Sequence, residues 1–237
     1  MRLNLGAMTL SVALATLVSA QPASAQQTLN FSLGYFTVRG EDARVERDVL
    51  NENRNFLVFE VSDFNSATVG AEWLVPLGGY FEAGAGVSFS RRTVPSVYDA
   101  FVDIDGSEIE QDLRLRLVPV ALTVRVLPLG QTSPVQPYFG AGIGLVNWRY
   151  SESGEFVDFQ NRNAIFREQY AASGSETGPI VLGGLRFAGD TVSAGAEIRY
   201  HSAAADLGSR FAGPVREPRI DLGGWTYQFT MGLRFGQ

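Results

Sequence analysis

The stretch Trp225-Thr226-Tyr227-Gln228-Phe229-Thr230-Met231-Gly232-Leu233-Arg234-Phe235 places a large apolar residue at every second position, with polar residues or glycine between. A strand points successive side chains to opposite faces. One face therefore carries Trp225, Tyr227, Phe229, Met231, Leu233 and Phe235, and the other Thr226, Gln228, Thr230, Gly232 and Arg234. A water-soluble sandwich also buries such a face. Aromatic residues at both ends of the apolar run, in a chain that opens with a secretory pattern, favour instead a lipid-facing strand of a transmembrane β-barrel, apolar outside and polar within.

That opening pattern is Arg2, an apolar run through Met8 to Val18, and the small-x-small signature Ala23-Ser24-Ala25. It predicts a signal peptide over residues 1–25 and a barrel domain over 26–237; as a membrane anchor the run is too short. Arg2 is the only charged residue before position 26, so its removal leaves 18 basic against 25 acidic residues, net −7. Such a balance speaks against nucleic acid as a partner. Cysteine is absent, which excludes a disulfide framework and any thiolate chemistry. No later run approaches the ~20 apolar residues of a membrane helix, as expected where only alternate residues face lipid.

Working back along the chain, the same alternation recurs at Leu29 to Tyr35, Ala67 to Val75, Phe81 to Phe89, Leu113 to Val126, Tyr138 to Leu145, Ile180 to Phe187 and Val192 to His201. In the fourth of these the apolar parity changes from Leu113, Leu115 and Leu117 to Val118, Val120, Leu122, Val124 and Val126. A β-bulge at Val118-Pro119 accommodates that change and the missing proline donor. The eight segments are joined by short connections at Pro76-Leu77-Gly78-Gly79, Pro128 to Pro134 and Ala188-Gly189-Asp190. Long polar ones span residues 40–65, 92–108, 151–176 and 202–221, with Phe56 to Val61 as a strand extension or small cap. Short and long alternate strictly, which predicts an all-β, eight-stranded antiparallel up-and-down barrel with short periplasmic turns and long outer loops.

With its Leu127-Pro128-Leu129-Gly130 turn and its Pro137-Tyr138-Phe139-Gly140-Ala141-Gly142-Ile143-Gly144 strand, the chain resembles the small outer-membrane barrels grouped with OmpW, OmpX and the OmpA membrane domain. The resemblance implies a bacterial outer-membrane location, outer-membrane lipid and lipopolysaccharide as surroundings, a monomer, and recognition of a terminal aromatic by the barrel assembly machinery. Here Phe235 is followed by Gly236-Gln237, a departure from that ending.

An interior this narrow is filled by side chains, and buried charge is tolerated when paired. With the short turns marking the periplasmic end, Glu72, Glu82, Arg125, Arg186 and Arg234 are expected in one layer there. They form an ionic plug, as a static network or as a gate on conductance. A second inward set is expected nearer the outside: Glu110, Asp112, Arg114, Arg116, Arg149, Glu197, Arg199 and His201. The resemblance to OmpW implies an apolar lumen, from which this charged lining departs.

In the lipid A deacylase family the catalytic His and Ser are separated by one residue, on one strand face. Here His201 and Ser202 are adjacent and point to opposite faces, so the base and nucleophile do not meet by that route; a serine from a neighbouring strand leaves a hydrolase as a third reading. One histidine does not make a zinc site. Asp103-Ile104-Asp105-Gly106-Ser107-Glu108 fails as a calcium loop because its first ligand position falls on Phe101. No cofactor and no catalytic residue is expected. The leading expectation is a non-enzymatic barrel with a structural or surface-interaction role, ahead of a narrow channel for small solutes.

Overall fold

Alternating burial runs along the strand stretches that form the ring, such as residues 66–74, 109–117 and 224–233. The computed structural model describes residues 26–236 apart from 160, 209–210 and 212–216; the expected signal peptide lies outside the described residues. The strands are β1 (Gln27–Val38), β2 (Ser66–Pro76), β3 (Phe81–Val102), β4 (Glu108–Val126), β5 (Val135–Asp158), β6 (Ala164–Ala188), β7 (Val192–His201), β8 (Ala204–Asp206), β9 (Arg219–Asp221) and β10 (Gly224–Phe235). Eight of them close an antiparallel barrel in the order β1-β10-β7-β6-β5-β4-β3-β2, while β8 and β9 pair as a small separate sheet.

The closure has a fixed stagger. Following paired residues from Trp148 through Leu117, Ser90, Thr68, Gly34, Gln228, Glu197 and Gly184 returns to β5 at Tyr138, ten residues from the start. Such a stagger tilts the strands steeply, so depth in the lumen does not follow sequence distance from the nearest turn.

Outside, an exposed apolar belt runs round the ring: Phe31, Leu33, Val69, Trp73, Val87, Leu122, Ile143, Val181, Ile198, Phe229 and Met231 among others. Tyr35, Tyr227 and Trp225 lie at its upper edge. An apolar surface this extensive is incompatible with free solution and is the lipid-facing side of a membrane-spanning barrel. The turns at one end are tight, with Gly78 and Gly130 at φ +83° and +75°, where a side chain is strained.

Two expectations about the strands need correction. The loops expected over 92–108 and 151–176 are mostly strand: β3 to β6 run on beyond the belt as a projecting sheet, turning only at 103–107 and 159–163. Above the membrane both faces of such strands meet water or a cap, so the lipid-facing alternation that marks a strand in sequence disappears there. Nor is there a bulge at Val118-Pro119. The β3–β4 register is the same on both sides of that site, and pairing is only interrupted there. The proline without a donor is tolerated by an open place in the ladder, and Asn147 Nδ2 donates to the Val118 carbonyl beside it, at 3.4 Å.

The segment after β1 folds over the barrel mouth. Its short helix α1 (Val49–Asn53) is capped by Asp48, whose carboxylate accepts from the Leu50 and Asn51 amides. A capping side chain satisfies amides that the first turn leaves open. A 3₁₀ turn at Val61–Phe64 follows. Val49, Leu50, Leu57, Val61 and Phe64 are thereby buried.

Candidate functional site

Inside the barrel, one strand parity delivers charge and the stagger decides which charges meet. Arg125 is the hub. Its guanidinium bonds Glu72, reaches Glu197 at 2.9 Å and lies 3.7 Å from Glu82. Arg186 binds Glu82 at 2.8 Å and the Gln136 side-chain oxygen at 2.8 Å. Arg199 joins Glu197 through its Nε at 2.9 Å and Glu72 at 3.2 Å. The layer thus holds three carboxylates and three guanidiniums, all buried or nearly so, a balance that lets charge survive in a narrow interior.

Neutral groups complete it. Tyr138 donates its hydroxyl to Glu197 at 3.1 Å and presents its ring to Arg125 at 4.8 Å, and Gln228 donates to Glu197 at 3.0 Å. Gly84 and Gly86 make room for Glu72. A Cβ at Gly84 would stand 2.8 Å from a Glu72 carboxylate oxygen, and one at Gly86 3.0 Å from the Glu72 Cβ.

Glu72, Glu82, Arg125 and Arg186 therefore share one layer, but Arg234 stands apart at the rim, where it bonds the Gly189 carbonyl. Glu197 and Arg199, expected farther out, take part in the layer; the strand tilt brings them down to it. Tyr138 and Gln228, at inward parity in strands legible from sequence, and Gln136, in the part of β5 before the alternating segment, complete the layer beyond the expected charges.

The outer half of the lumen corrects the expected charged lining. On β4 the buried apolar residues there are Ile109, Leu113, Leu115 and Leu117, with Gln111 the one buried polar residue among them, and on β5 Val146, Trp148 and Tyr150. Because neighbours alternate, Glu110, Asp112, Arg114, Arg116 and Arg149 face outward. The apolar lining packs against Leu50, Leu57, Val61 and Phe64 of the cap and Ala205, Leu207, Ile220 and Leu222 of the last loop, forming one apolar plug. Between plug and ionic layer is a cavity of about 30 Å³ near Thr68, Ser90, Ala121 and His201, room for roughly two waters.

Polar groups latch the plug. Arg44 pairs with Asp48 at 2.7 Å and donates to the Asp221 carbonyl at 2.9 Å; Arg39 binds Asp221 at 2.8 Å and Ser202 at 2.8 Å. Glu152, on the projecting part of β5, accepts from Asn53 at 2.7 Å and from Tyr150 at 2.9 Å. Burial pushes the Glu152 carboxyl above the usual carboxylate range, against the pull of those two hydrogen bonds.

His201 is buried, stacked on Phe36, and its Nε2 lies 2.9 Å from the Leu222 carbonyl. A carbonyl only accepts, so Nε2 carries the proton. That is the only side-chain hydrogen bond of His201 among the described residues, and Ser202 is engaged by Arg39 instead. The geometry is that of a satisfied core histidine, not a base beside a nucleophile.

No protein-family model and no curated protein matches the chain. Solved structures do. The outer membrane protein OprG from Pseudomonas aeruginosa aligns with a TM-score of 0.53 at 12% identity, over 90% of this chain and 97% of that one. Ail of Yersinia pestis gives 0.48 at 11% over 90% and 100%, and the Escherichia coli outer membrane protein W gives 0.41 at 15% over 90% and 100%. At 12% identity the likeness to OprG concerns the fold, which is that of the small eight-stranded outer-membrane barrels.

Proposed function

We propose that the chain is a non-enzymatic barrel of the bacterial outer membrane, with a sealed lumen and a structural or surface-interaction role. The observation that carries this reading is the filling of the lumen. A charge-balanced layer occupies its periplasmic part and an apolar plug its outer part, with Leu50, Ile220 and Leu222 at 0 to 1% exposure. Solute passage needs a continuous wet path, and spaces of about 30 Å³ under the plug and about 20 Å³ beside Glu72 and Arg199 in the ionic layer are too small to make one. The surface supports the second half of the reading. The β3 to β6 sheet projects beyond the belt and carries Val102, Ile104 and Phe159 exposed at its tip. A groove of about 590 Å³ opens along it beside Val58, Ser96, Glu110 and Asp112.

Single-channel recording of the refolded barrel in a planar bilayer tests the seal, with the native chain compared to Glu72→Ala plus Glu82→Ala. A heat-modifiable gel shift reports whether each remains a barrel. Native silence is the expected result, with openings in the folded variant only once Asp48→Ala is added to release the apolar plug. Steady native conductance, unchanged by the substitutions, would defeat the sealed reading and put a narrow solute channel in its place.

A further inference from the structure

The correction on β4 exposes an arrangement of charge that the sealed lumen does not use. On the outward face Arg91 of β3 is paired directly with Arg116 of β4, and Arg116 with Arg149 of β5. All three are exposed. Arg114, one outward position farther along β4, shares the face and donates to Thr93 at 3.0 Å. Like charges directly opposite each other on neighbouring strands are destabilising, and the strands are only ~4.8 Å apart. Yet none of the four makes an ion pair among the described residues. On β4 the first outward acids, Asp112 and Glu110, come only beyond Arg114.

The height of the row is fixed by the same registers. Arg91 stands two residues beyond Phe89, the last of the outward apolar series on β3, Arg116 two beyond Val118 on β4, and Arg149 four beyond Leu145 on β5, with the polar Asn147 between. The row therefore begins where the apolar belt ends, at the level of lipid headgroups. Elsewhere on that edge the outward residues include Tyr35, Tyr200, Trp225 and Tyr227, and Arg39 there is paired with Asp221, so among the described residues of the edge the positive charge without an ion-pair partner sits in this one sector.

A guanidinium is suited to phosphate because its planar fork donates two parallel hydrogen bonds. Arg91 and Arg149 are two strand spacings apart, ~10 Å at the backbone, which is more than one phosphate spans. We propose that Arg91, Arg116 and Arg149, with Arg114, form a binding site for a bisphosphorylated glycolipid headgroup of the outer leaflet, the lipid A class. The anion offsets the repulsion within the row and anchors the β3 to β5 sector at a set depth. The proposal rests on the outer-membrane reading.

The test uses the refolded full barrel in neutral micelles, with bound lipid read by native mass spectrometry and the thermal midpoint followed in parallel. Bisphosphoryl lipid A, its monophosphoryl form and phosphatidylglycerol are compared on the native chain, on Arg91→Gln/Arg116→Gln/Arg149→Gln, and on Arg167→Gln as a control. The native chain and the control are expected to bind bisphosphoryl lipid A at least tenfold more tightly than the other two lipids. The triple variant loses that preference and, without lipid, melts no lower than the native chain, because the repulsion is gone. Equal binding by the triple variant, or equal binding of phosphatidylglycerol by the native chain, overturns the site. Displacement by millimolar inorganic phosphate does so too, since it assigns the row to the free ion. Should the triple variant not fold, Arg116→Gln alone decides, with at least a threefold loss expected and no loss overturning the site. Insertion of the native chain into vesicles is scored separately: a barrel that inserts without lipid A preference defeats this site alone, and one that does not insert defeats the membrane reading.

Discussion

Asp48 and Asp221 lie 173 residues apart in the chain, yet the backbone amide of Asp221 donates to the Asp48 carboxylate at 2.6 Å in a fully buried setting. The same carboxylate caps α1 and pairs with Arg44, which in turn donates to the Asp221 carbonyl. One side chain thus joins the first outer segment to the last. Asp48→Ala leaves Arg44 and two α1 amides short of partners. Removing one member of a buried pair costs about 3–5 kcal/mol, here set against cap docking. Limited proteolysis is expected to cut residues 39–65 in the variant and spare them in the native chain, with the gel mobility of the barrel unchanged. Loss of the barrel itself would show that the cap is required for closure.

Arg125 faces three carboxylates, so its replacement has a larger effect than that of any single partner. Arg125→Met leaves Glu72, Glu82 and Glu197 with only Arg186 and Arg199 between them, a loss on the order of 3–5 kcal/mol. Adding Glu72→Gln restores the balance and is expected to recover part of that loss. Urea unfolding from lipid vesicles measures the coupling in a double-mutant cycle. Additive effects would mean that the layer does not act as a network.

The assigned parity of β4 has a direct chemical check, because the chain contains no cysteine. Leu115→Cys places a thiol in the plug and Arg116→Cys places one outside. A polar maleimide is expected to label position 116 at least tenfold faster than position 115 in the folded barrel, and equally in urea. The reverse order would reinstate a bulge at Pro119.

The sequence is informative about strand faces up to the outer edge of the membrane and not beyond it. Within the membrane, lipid demands an apolar outward face, and strands such as Val192 to His201 and Trp225 to Phe235 announce themselves by it. Above the belt the demand reverses. Leu113, Leu115 and Leu117 were inward because the cap covers them, and an apolar triplet on β4 does not say whether lipid or a plug is its partner. The ionic layer was legible in type but not in full membership, because depth depends on a ten-residue stagger that appears only when all eight registers are known. Glu197 and Arg199 were misplaced for that reason. The Arg91-Arg116-Arg149 row was hidden for a different one: Arg116 and Arg149 are expected inward from sequence, and only the uninterrupted parity of β4 and its registers with β3 and β5 turn them outward beside Arg91.

Glu152 gives the plug a pH dependence of defined sign. Burial raises its carboxyl above the usual range, so between the unfolded and folded values the docked state holds a proton that the undocked state has lost. Stability then falls as pH rises. The contribution is complete below the ordinary glutamate value of about 4.3 and disappears as pH climbs through the folded value. Hydrogen exchange of residues 39–65, compared between pH 5 and pH 8 after correction for intrinsic rates, is expected to show weaker protection at the higher pH. Starting at pH 5 keeps clear of ordinary carboxylate titration. Glu152→Gln carries no charge at either pH and keeps an oxygen that accepts from Asn53 and Tyr150, so its protection should not change with pH. A pH dependence that persists in Glu152→Gln would assign the effect to another group.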